Sequence, residues 1–180
     1  MEKVASIDVG ISNLGLVISE IKNNDISSIT FCDHINLKNF MCTDPYCIYN
    51  TTVFSKTISH YMYHFFKEHE KYLDECSTIL VEKQPPLGVS SVEQLIQYKY
   101  PSKVQFIYPN SVHSFYKMRN LSRTQKKEFS MNIAKKYTLR NRLYRRLHRK
   151  HDISDAIMFL TYWTSRNRNR SVCGRALKIL

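Results

Sequence analysis

The sequence lacks any run of about eighteen apolar residues, the length that a membrane-spanning helix needs. Its first residues, MEKVASIDVG, also lack the basic and then apolar pattern of a secretory signal peptide. We therefore expect a soluble, intracellular protein without a membrane partner.

Cysteine is too irregularly placed to form a disulfide framework. The chain has five cysteines, an odd number, and their scatter favours a reducing compartment. Cys32, His34, Cys42 and Cys47 could be taken as a zinc set. However, C-x4-C is not the C-x2-C spacing of such sites, and no second tight pair of ligands accompanies it. We expect no zinc site.

Internal repeats and low-complexity linkers are absent as well. At 180 residues, of which 43% are hydrophobic, the chain is long enough to bury a core. We predict a single domain over residues 1–180, in which about residues 166–180 form a basic C-terminal tail.

Acidic residues are rare in the last third of the chain. Residues 117–178 contain 18 Lys or Arg against three acids, a net charge of +15, whereas the rest has nine against 12, a net charge of −3. Such segregation favours a polyanionic partner, most simply nucleic acid, over a solvated helix face. An anionic membrane surface is the weaker alternative, because the basic run has no matching long apolar face.

Hydrophobic periodicity predicts an α/β domain. Alternating and β-branched segments predict strands over residues 4–9, 14–21, 26–35, 77–83 and 103–109. Helical spacing of apolar residues predicts helices over residues 51–73, 91–99, 110–117, 123–148 and 153–165. Ser90 and Glu93 are spaced as a capping box for the second of these. The order of elements indicates a five-stranded mixed sheet flanked by helices, with strands 1–3 antiparallel and strands 4–5 parallel.

Four acidic residues fall at the ends of predicted elements. Asp8 ends the first strand and Glu82 lies near the end of the fourth, and parallel neighbouring strands bring such ends to one edge of a sheet. Asp152 and Asp155 lie three residues apart at the start of the last helix, so they share one face. Converging carboxylates repel one another unless cations lie among them, and hard oxygen ligands suit Mg²⁺ or Mn²⁺. Two such ions can support phosphodiester hydrolysis.

Each acid also has a purely structural interpretation. Asp8 could shape a turn before Gly10, and Asp152 with Asp155 could improve a helix start. Glu82 is harder to explain in this way, because an acid in the apolar strand ILVE needs a partner. The joint pattern of the four acids favours a metal site.

Three segments carry a resemblance to a known family. SIDVGISNLG, ILVEKQPP and HDISDA resemble, in order and spacing, the acidic motifs of the RuvC-type Holliday junction resolvases of the RNase H-like superfamily, which has poxvirus and fungal mitochondrial members. The resemblance extends from Ser6 to about Ser165. It implies an RNase H-like fold, a homodimer and paired nicking of four-way DNA junctions. It also implies that two Mg²⁺ or Mn²⁺ ions are held by Asp8, Glu82, Asp152 and Asp155.

The resemblance further implies a basic residue near the scissile phosphate. In SRTQKKEF, Lys126 is our first choice and Lys127 the alternative, since either would neutralise charge that develops on the phosphoryl oxygens. His151 is a second candidate, as a ligand or proton carrier. By similarity to the poxvirus members, the role would be to process concatemeric viral replication intermediates in the cytoplasm of an infected cell.

Two segments are predicted to contact DNA. In residues 135–151, Leu139, Leu143 and Leu147 would dock on the core and leave a row of cations facing outward: Arg140, Arg142, Arg145, Arg146, Arg149 and Lys150. Lys83 and Gln84, in the turn after the fourth strand, are expected to touch the junction branch point, and Lys127 is a further candidate. Selectivity for four-way DNA would rest on its shape.

Two further hypotheses concern assembly and activity. The aromatic residues of the 51–73 helix predict part of a two-fold dimer contact, with core packing as the alternative. Besides a junction resolvase, the sequence is compatible with an RNase H-like nuclease that acts on another branched or hybrid substrate. A catalytically silent nucleic-acid-binding module is the third interpretation.

Overall fold

A five-stranded mixed sheet forms the centre of the molecule. The computed structural model describes residues 1–40, 47, 57–139 and 141–176. The strands lie in the order β3-β2-β1-β4-β5 and comprise β1 (Glu2–Asp8), β2 (Leu14–Lys22), β3 (Asp25–Ile35), β4 (Thr78–Glu82) and β5 (Val104–Ile107). Strands β1 to β3 are antiparallel, β4 is parallel to β1, and β5 is parallel to β4. The predicted mixed sheet is confirmed.

Helices flank this sheet. Those in the described ranges are α1 (Ile58–Asp74), α2 (Ser90–Lys99), α3 (Pro109–Phe115), α4 (Arg123–Thr138), α5 (Arg142–Arg146) and α6 (His151–Ala176), with a short 3₁₀ helix at Leu37–Asn39. Residues 51–56, predicted as the start of the first helix, lie outside the described part. The last helix is longer than the predicted 153–165, so the segment from residue 166 is helical through Ala176. None of the described helices combines the length and apolar character needed to cross a bilayer.

The single helix predicted over residues 123–148 is in fact two helices. Asn141 caps α5, because its side-chain oxygen accepts a hydrogen bond from the Tyr144 backbone N–H at 3.1 Å. The Asn141 amide group also donates to the Ile29 carbonyl of β3 at 3.1 Å. A polar side chain that bonds the backbone in this way favours a helix start over a helix interior. The chain therefore turns between α4 and α5.

Both faces of the sheet are buried under helices. Ile157 of α6 and Leu80 of β4 belong to the hydrophobic cluster on one face. Phe65 of α1 and Ile79 of β4 belong to the cluster on the other face. A central strand that is covered on both sides reads as a continuous apolar run, which explains ILV in β4. The carboxyl end of such a strand is held rigidly, so a side chain placed there has a fixed position.

Candidate active site

All four predicted acids line one cavity. Asp8, Glu82, Asp152 and Asp155 surround a cavity of about 390 Å³ at the carboxyl edge of β1 and β4. The parallel pairing of Ile7 with Val81 brings the ends of these two strands side by side. The structure therefore brings together side chains from three separate elements, as their positions in the sequence predicted.

Glu82 is oriented by neighbouring hydrogen-bond donors. Its Oε2 atom accepts a bond from the Val9 backbone N–H at 3.1 Å and another from Gln84 Nε2 at 2.7 Å. Val9 follows Asp8 directly, so the first bond locks the end of β1 to the acid of β4. A carboxylate that accepts two hydrogen bonds on one oxygen has a defined direction.

Burial raises the pKa values of three of these carboxyl groups, those of Asp8, Glu82 and Asp155. Burial raises the pKa of Asp8 well above its usual range, and the charges of Glu82 and Asp155 add to this effect. Burial also raises the pKa of Glu82. Burial and the charge of Asp152 raise the pKa of Asp155 to about 6, although the Ser130 hydroxyl and nearby Lys127 oppose the shift. Such a cluster is unfavourable when fully ionised unless cations lie among the oxygens.

The first turn of α6 lies directly against β2. A Cβ atom on Gly15 would come within 2.4 Å of the Asp152 carbonyl oxygen, so only glycine allows this approach. Gly15 also pairs with Asp8 across the β1–β2 ladder. The Ser6 hydroxyl donates to the Ala156 carbonyl at 2.8 Å and fixes the next turn of the helix. These contacts deliver Asp152 and Asp155 to the cavity. The sequence analysis missed Gly15, although a glycine inside an apolar strand is the signal that marks such a site.

Asp152 is held by two basic side chains. Arg149 Nε donates to its Oδ2 atom at 2.9 Å, and His34 Nε2 lies 3.7 Å from the same oxygen. Arg149 Nη2 also lies 2.9 Å from His151 Nε2. Burial lowers the pKa of His151 despite the opposing charge of Asp152. Arg149, predicted as an outward DNA contact, therefore faces the acid, and His34 was missed as a site residue because it is distant in sequence.

A basic wall faces the acids across the cavity. Its residues come from α3 and α4 and comprise His113, Arg123, Lys126 and Lys127. Lys127 is near enough to Asp155 for its charge to lower the pKa of that carboxyl group. Burial and the charge of Lys126 lower the pKa of His113. Both predicted lysines reach the cavity, and they have different neighbours. His113 and Arg123 were missed, since no local pattern distinguishes them from surface residues.

The turn after β4 is anchored to a buried acid. Glu93 is 1% exposed; it accepts a charged hydrogen bond from Lys83 Nζ and a second bond from the Gln84 backbone N–H at 2.7 Å. The predicted capping box of Ser90 and Glu93 is wrong, because the N-cap of α2 is Val89 and it makes no side-chain capping bond. Glu93 instead fixes the turn that carries Gln84 to Glu82. Lys83 and Gln84, which were predicted to contact DNA, make hydrogen bonds to acidic side chains of the protein itself.

The basic run around α5 is exposed in part. Arg142, Arg145 and Arg146 are exposed, Lys150 is half-buried, and Arg140 lies outside the described residues. The expected docking of Leu139 and Leu143 is wrong, since these side chains are 72% and 43% exposed. The turn at Asn141 breaks the helical periodicity, and Tyr144 is buried in their place, with its hydroxyl 3.0 Å from Ser154 Oγ. This short helix still presents arginines to solvent.

Comparison with known proteins defines the fold. No protein-family model and no curated protein matches the sequence. The sheet order and the flanking helices are those of the RNase H-like folds of RuvC-type resolvases. The structure is similar to the fowlpox virus resolvase in complex with Holliday junction DNA, with a TM-score of 0.64 and 15% identity over 91% of this chain and 97% of that chain.

Two further solved structures share this fold. RuvC of T. thermophilus in complex with a Holliday junction substrate has a TM-score of 0.53 and 14% identity, covering 94% of this chain and 97% of that one. The yeast mitochondrial Holliday junction resolvase Ydc2 has a TM-score of 0.58 and 16% identity, covering 93% and 82%. The predicted fold is confirmed. At such identities the likeness establishes the fold, and function must be argued from the site.

Proposed function

We propose that this protein is a metal-dependent endonuclease that cuts four-way DNA junctions by paired, symmetrical nicks. The observation that carries the proposal is the cavity in which four carboxyl groups face a wall of cations. Acids that hold metal ions, placed opposite bases that hold phosphate, are what phosphodiester hydrolysis requires. Junction DNA is favoured as the substrate because the similar structures include resolvases solved with Holliday junctions.

The carboxyl cluster fits divalent cations. Hard oxygen ligands suit Mg²⁺ and Mn²⁺, and the donor set contains only carboxylates. Burial and the neighbouring acids raise the pKa of Asp8 and of Asp155, and bound cations would offset both effects. Asp8, Glu82, Asp152 and Asp155 would hold two such ions. When bound, the ions would supply an activated water and neutralise charge on the leaving oxygen.

The residues of this chain then have separate tasks. Gln84 and the Val9 backbone N–H fix one oxygen of Glu82, so the acid does not turn away from Asp8. Arg149 orients Asp152 through its hydrogen bond to the Oδ2 atom. Lys127, which lies close to Asp155, is placed to neutralise charge on the phosphoryl oxygens. Lys126, the first choice from the sequence, lies by His113 and would grip the adjacent phosphate. His151, whose pKa is lowered by burial, is the candidate proton acceptor.

The arginines around α5 would extend the grip on DNA. Arg142, Arg145 and Arg146 are exposed, so they can bind backbone phosphates without disturbing the core. Arg140 and Lys150, which are close to α5 in the sequence, would add to this surface. Such contacts position DNA and carry no base sequence. Lys83 and Gln84 would act on DNA indirectly, by shaping the turn beside Glu82.

Paired nicking requires two sites, and we propose a homodimer for this reason. Of the aromatic residues in the 51–73 segment, Tyr61 and Phe65 are buried in the core, whereas Tyr63 is 37% exposed. Tyr63, Phe66 and Tyr98 line a groove between α1 and α2 that a second copy could cover. Sedimentation velocity tests this assembly, and a monomer at every concentration and on junction DNA would contradict it.

A cleavage assay separates the proposed function from its competitors. We expect the protein with Mg²⁺ or Mn²⁺ to nick a synthetic four-way junction in two opposed strands. Linear duplex and RNA–DNA hybrid of the same sequence should be cut at least about 100-fold more slowly, because neither offers the junction shape. Preferential cutting of the hybrid would favour an RNase H-like activity. Tight junction binding without cleavage under any divalent ion would favour a silent binding module.

The two lysines of the basic wall are expected to differ in effect. Lys127→Ala should lower the single-turnover cleavage rate by about 100-fold, because it removes the lysine of the basic wall whose charge acts on Asp155. Lys126→Ala should lower junction affinity more than the rate. Lys135→Ala, an exposed lysine on the same helix, is the control and should change neither. If Lys126→Ala loses the rate and Lys127→Ala does not, the assignment of the two roles is reversed.

A further inference from the structure

A second group of ligand-type side chains lies at the start of α1. Cys47, His60 and His64 each offer one ligand atom, and these atoms all lie within 4.8 Å of one another. The distance from Cys47 Sγ to His64 Nε2 is 3.4 Å, and two ligands of one tetrahedral zinc ion stand roughly 3.5 Å apart. None of the three residues lines the acidic cavity. The group is therefore separate from the candidate active site.

The helix arranges the two histidines for a shared ligand. His60 and His64 are four residues apart on α1, so they lie on one face, and their ring centroids are 4.9 Å apart. Thr57 caps the helix, and its hydroxyl accepts a hydrogen bond from the His60 backbone N–H at 3.3 Å. His60 is only 2% exposed. A thiol beside two imidazoles is a donor set that suits zinc, in contrast to the four carboxyl groups of the acidic cavity.

The sequence spacing fits the same metal. Four residues separate Cys42 from Cys47, twelve separate Cys47 from His60, and three separate His60 from His64. This is the C-x2–4-C-x12-H-x3–5-H spacing of a Cys₂His₂ zinc site. Cys42 lies outside the described residues, so only its sequence spacing supports it as a ligand.

The expectation of no zinc site compared C-x4-C with the shorter C-x2-C spacing only, although C-x2–4-C sites include it, and it considered Cys32 and His34 as partners. Cys32 is buried in the core on the α6 face of the sheet, whereas Phe65 of α1 belongs to the opposite face. His34 contacts Asn13 and Asp152 at the active-site edge. The second tight pair of ligands is supplied by α1, further along the chain.

We propose that Cys47, His60 and His64 bind a structural zinc ion, for which the spacing points to Cys42 as the fourth ligand. A closed site of four protein ligands leaves no position for substrate, so the ion would stabilise the fold. It would link Cys47 to the first two turns of α1. Because the ligands lie apart from the acids, zinc binding is independent of the proposed nuclease activity.

Metal analysis of the purified full chain tests the proposal. After expression with added zinc and dialysis without chelator, we expect about one zinc ion per chain in the wild type. Cys47→Ser and His64→Gln should lose the ion. Cys76→Ser, which alters a thiol at the other end of α1, should keep it, and so should Asp8→Asn, which alters the acidic cavity. Full zinc content in Cys47→Ser and His64→Gln would overturn the assignment.

Cobalt substitution gives a direct readout of the site in the wild-type protein. Co²⁺ in the wild-type site should show the absorption of a tetrahedral ion together with a thiolate-to-cobalt charge-transfer band, which Cys42→Ser should weaken. A wild-type protein that retains no zinc and gives no such spectrum would overturn the proposal. An unchanged band in Cys42→Ser would overturn the assignment of Cys42 as the fourth ligand.

Discussion

Asp8→Asn is expected to abolish junction cleavage while the protein still folds and binds the junction. The amide is the same size as the carboxylate but carries no charge, so it is a poor ligand for a hard cation. Loss of one central metal ligand should reduce the single-turnover rate by at least about 1,000-fold, or roughly 4 kcal/mol of transition-state stabilisation. Cleavage of a labelled four-way junction measures the rate, and a gel-shift assay in Ca²⁺ measures binding.

Asp33→Asn is the matched control for this variant. Asp33 is a partly buried aspartate of β3 whose pKa is raised by burial, and it does not line the acidic cavity. We expect it to cleave like the wild type. Wild-type cleavage by Asp8→Asn would refute the proposed metal site. Loss of both binding and cleavage in a folded Asp8→Asn protein would refute the division between acidic chemistry and basic grip.

The same substitution should also raise stability when no divalent ion is present. Burial and neighbouring charges raise the pKa of Asp8 and of Asp155 in the folded protein. A group whose pKa is higher in the folded than in the unfolded protein stabilises the fold at pH values below its unfolded-state pKa. This stabilisation is lost as the pH rises through the pKa of the folded state. For Asp155 the window runs from 3.8 to about 6. Asp8 and Asp155 should therefore make the Mg²⁺-free wild type less stable at neutral pH than in mild acid.

Removal of one acid relieves this repulsion. At about pH 7.5 without added Mg²⁺, Asp8→Asn should have a Tm about 3–6 °C above that of the wild type. The gain should shrink at about pH 5, where the wild-type acids take up protons. Thermal unfolding followed by circular dichroism measures both values. An Asp8→Asn protein that is less stable than the wild type at both pH values would show that the carboxyl cluster is not repulsive.

The positions of Asp8 and Glu82 could be predicted because they depend on local pattern. A short apolar strand that ends in an acid is visible in the sequence, and the parallel pairing of β1 with β4 then fixes which edge the acids share. Asp152 and Asp155 follow from helical periodicity. These inferences need only the period of each element and the general rules of α/β sheets.

Other parts of the site depend on contacts between distant residues. Ser90 and Glu93 have the spacing of a capping box, but the side chain of Glu93 reaches Lys83 and Gln84 instead. The local pattern is compatible with either arrangement, and the buried ion pair decides between them. Leu139 and Leu143 are a similar case, because the hydrogen bond from Asn141 to β3 ends the helix that would have buried them.

Ligand identity shows a further limit of local patterns. His34 and Cys47 lie on the same stretch of sequence, yet His34 contacts Asp152 and Cys47 contacts His64. Only the position of β3 and α1 relative to the sheet separates them. One chain can therefore carry two chemically different clusters, a carboxylate set at the strand ends and a thiol–imidazole set on a helix.

Gly15→Ala is expected to damage the active site without altering any of its functional groups. The new Cβ atom would lie 2.4 Å from the Asp152 carbonyl oxygen and 3.2 Å from the Ile153 nitrogen, both of which are backbone atoms. β2 cannot yield easily, because it is paired with β1 on one side and β3 on the other. The first turn of α6 must therefore move, and Asp152 and Asp155 move with it. A displacement of about 1 Å should lower cleavage by about 100-fold.

The matched control separates misplacement from general damage to the strand. Ser19→Ala alters a buried residue on the same face of β2, four positions further along, and should leave cleavage and its Mg²⁺ dependence unchanged. Gly15→Ala should lose about 1–3 kcal/mol of unfolding free energy through overpacking, and it should also need more Mg²⁺ for half-maximal cleavage. Destabilisation alone would leave that Mg²⁺ requirement unchanged well below the Tm, because the folded molecules would keep an intact site. If Gly15→Ala cleaves like the wild type, cleavage does not depend on the close approach of α6 to β2. The assignment of Asp152 and Asp155 as metal ligands would then be wrong.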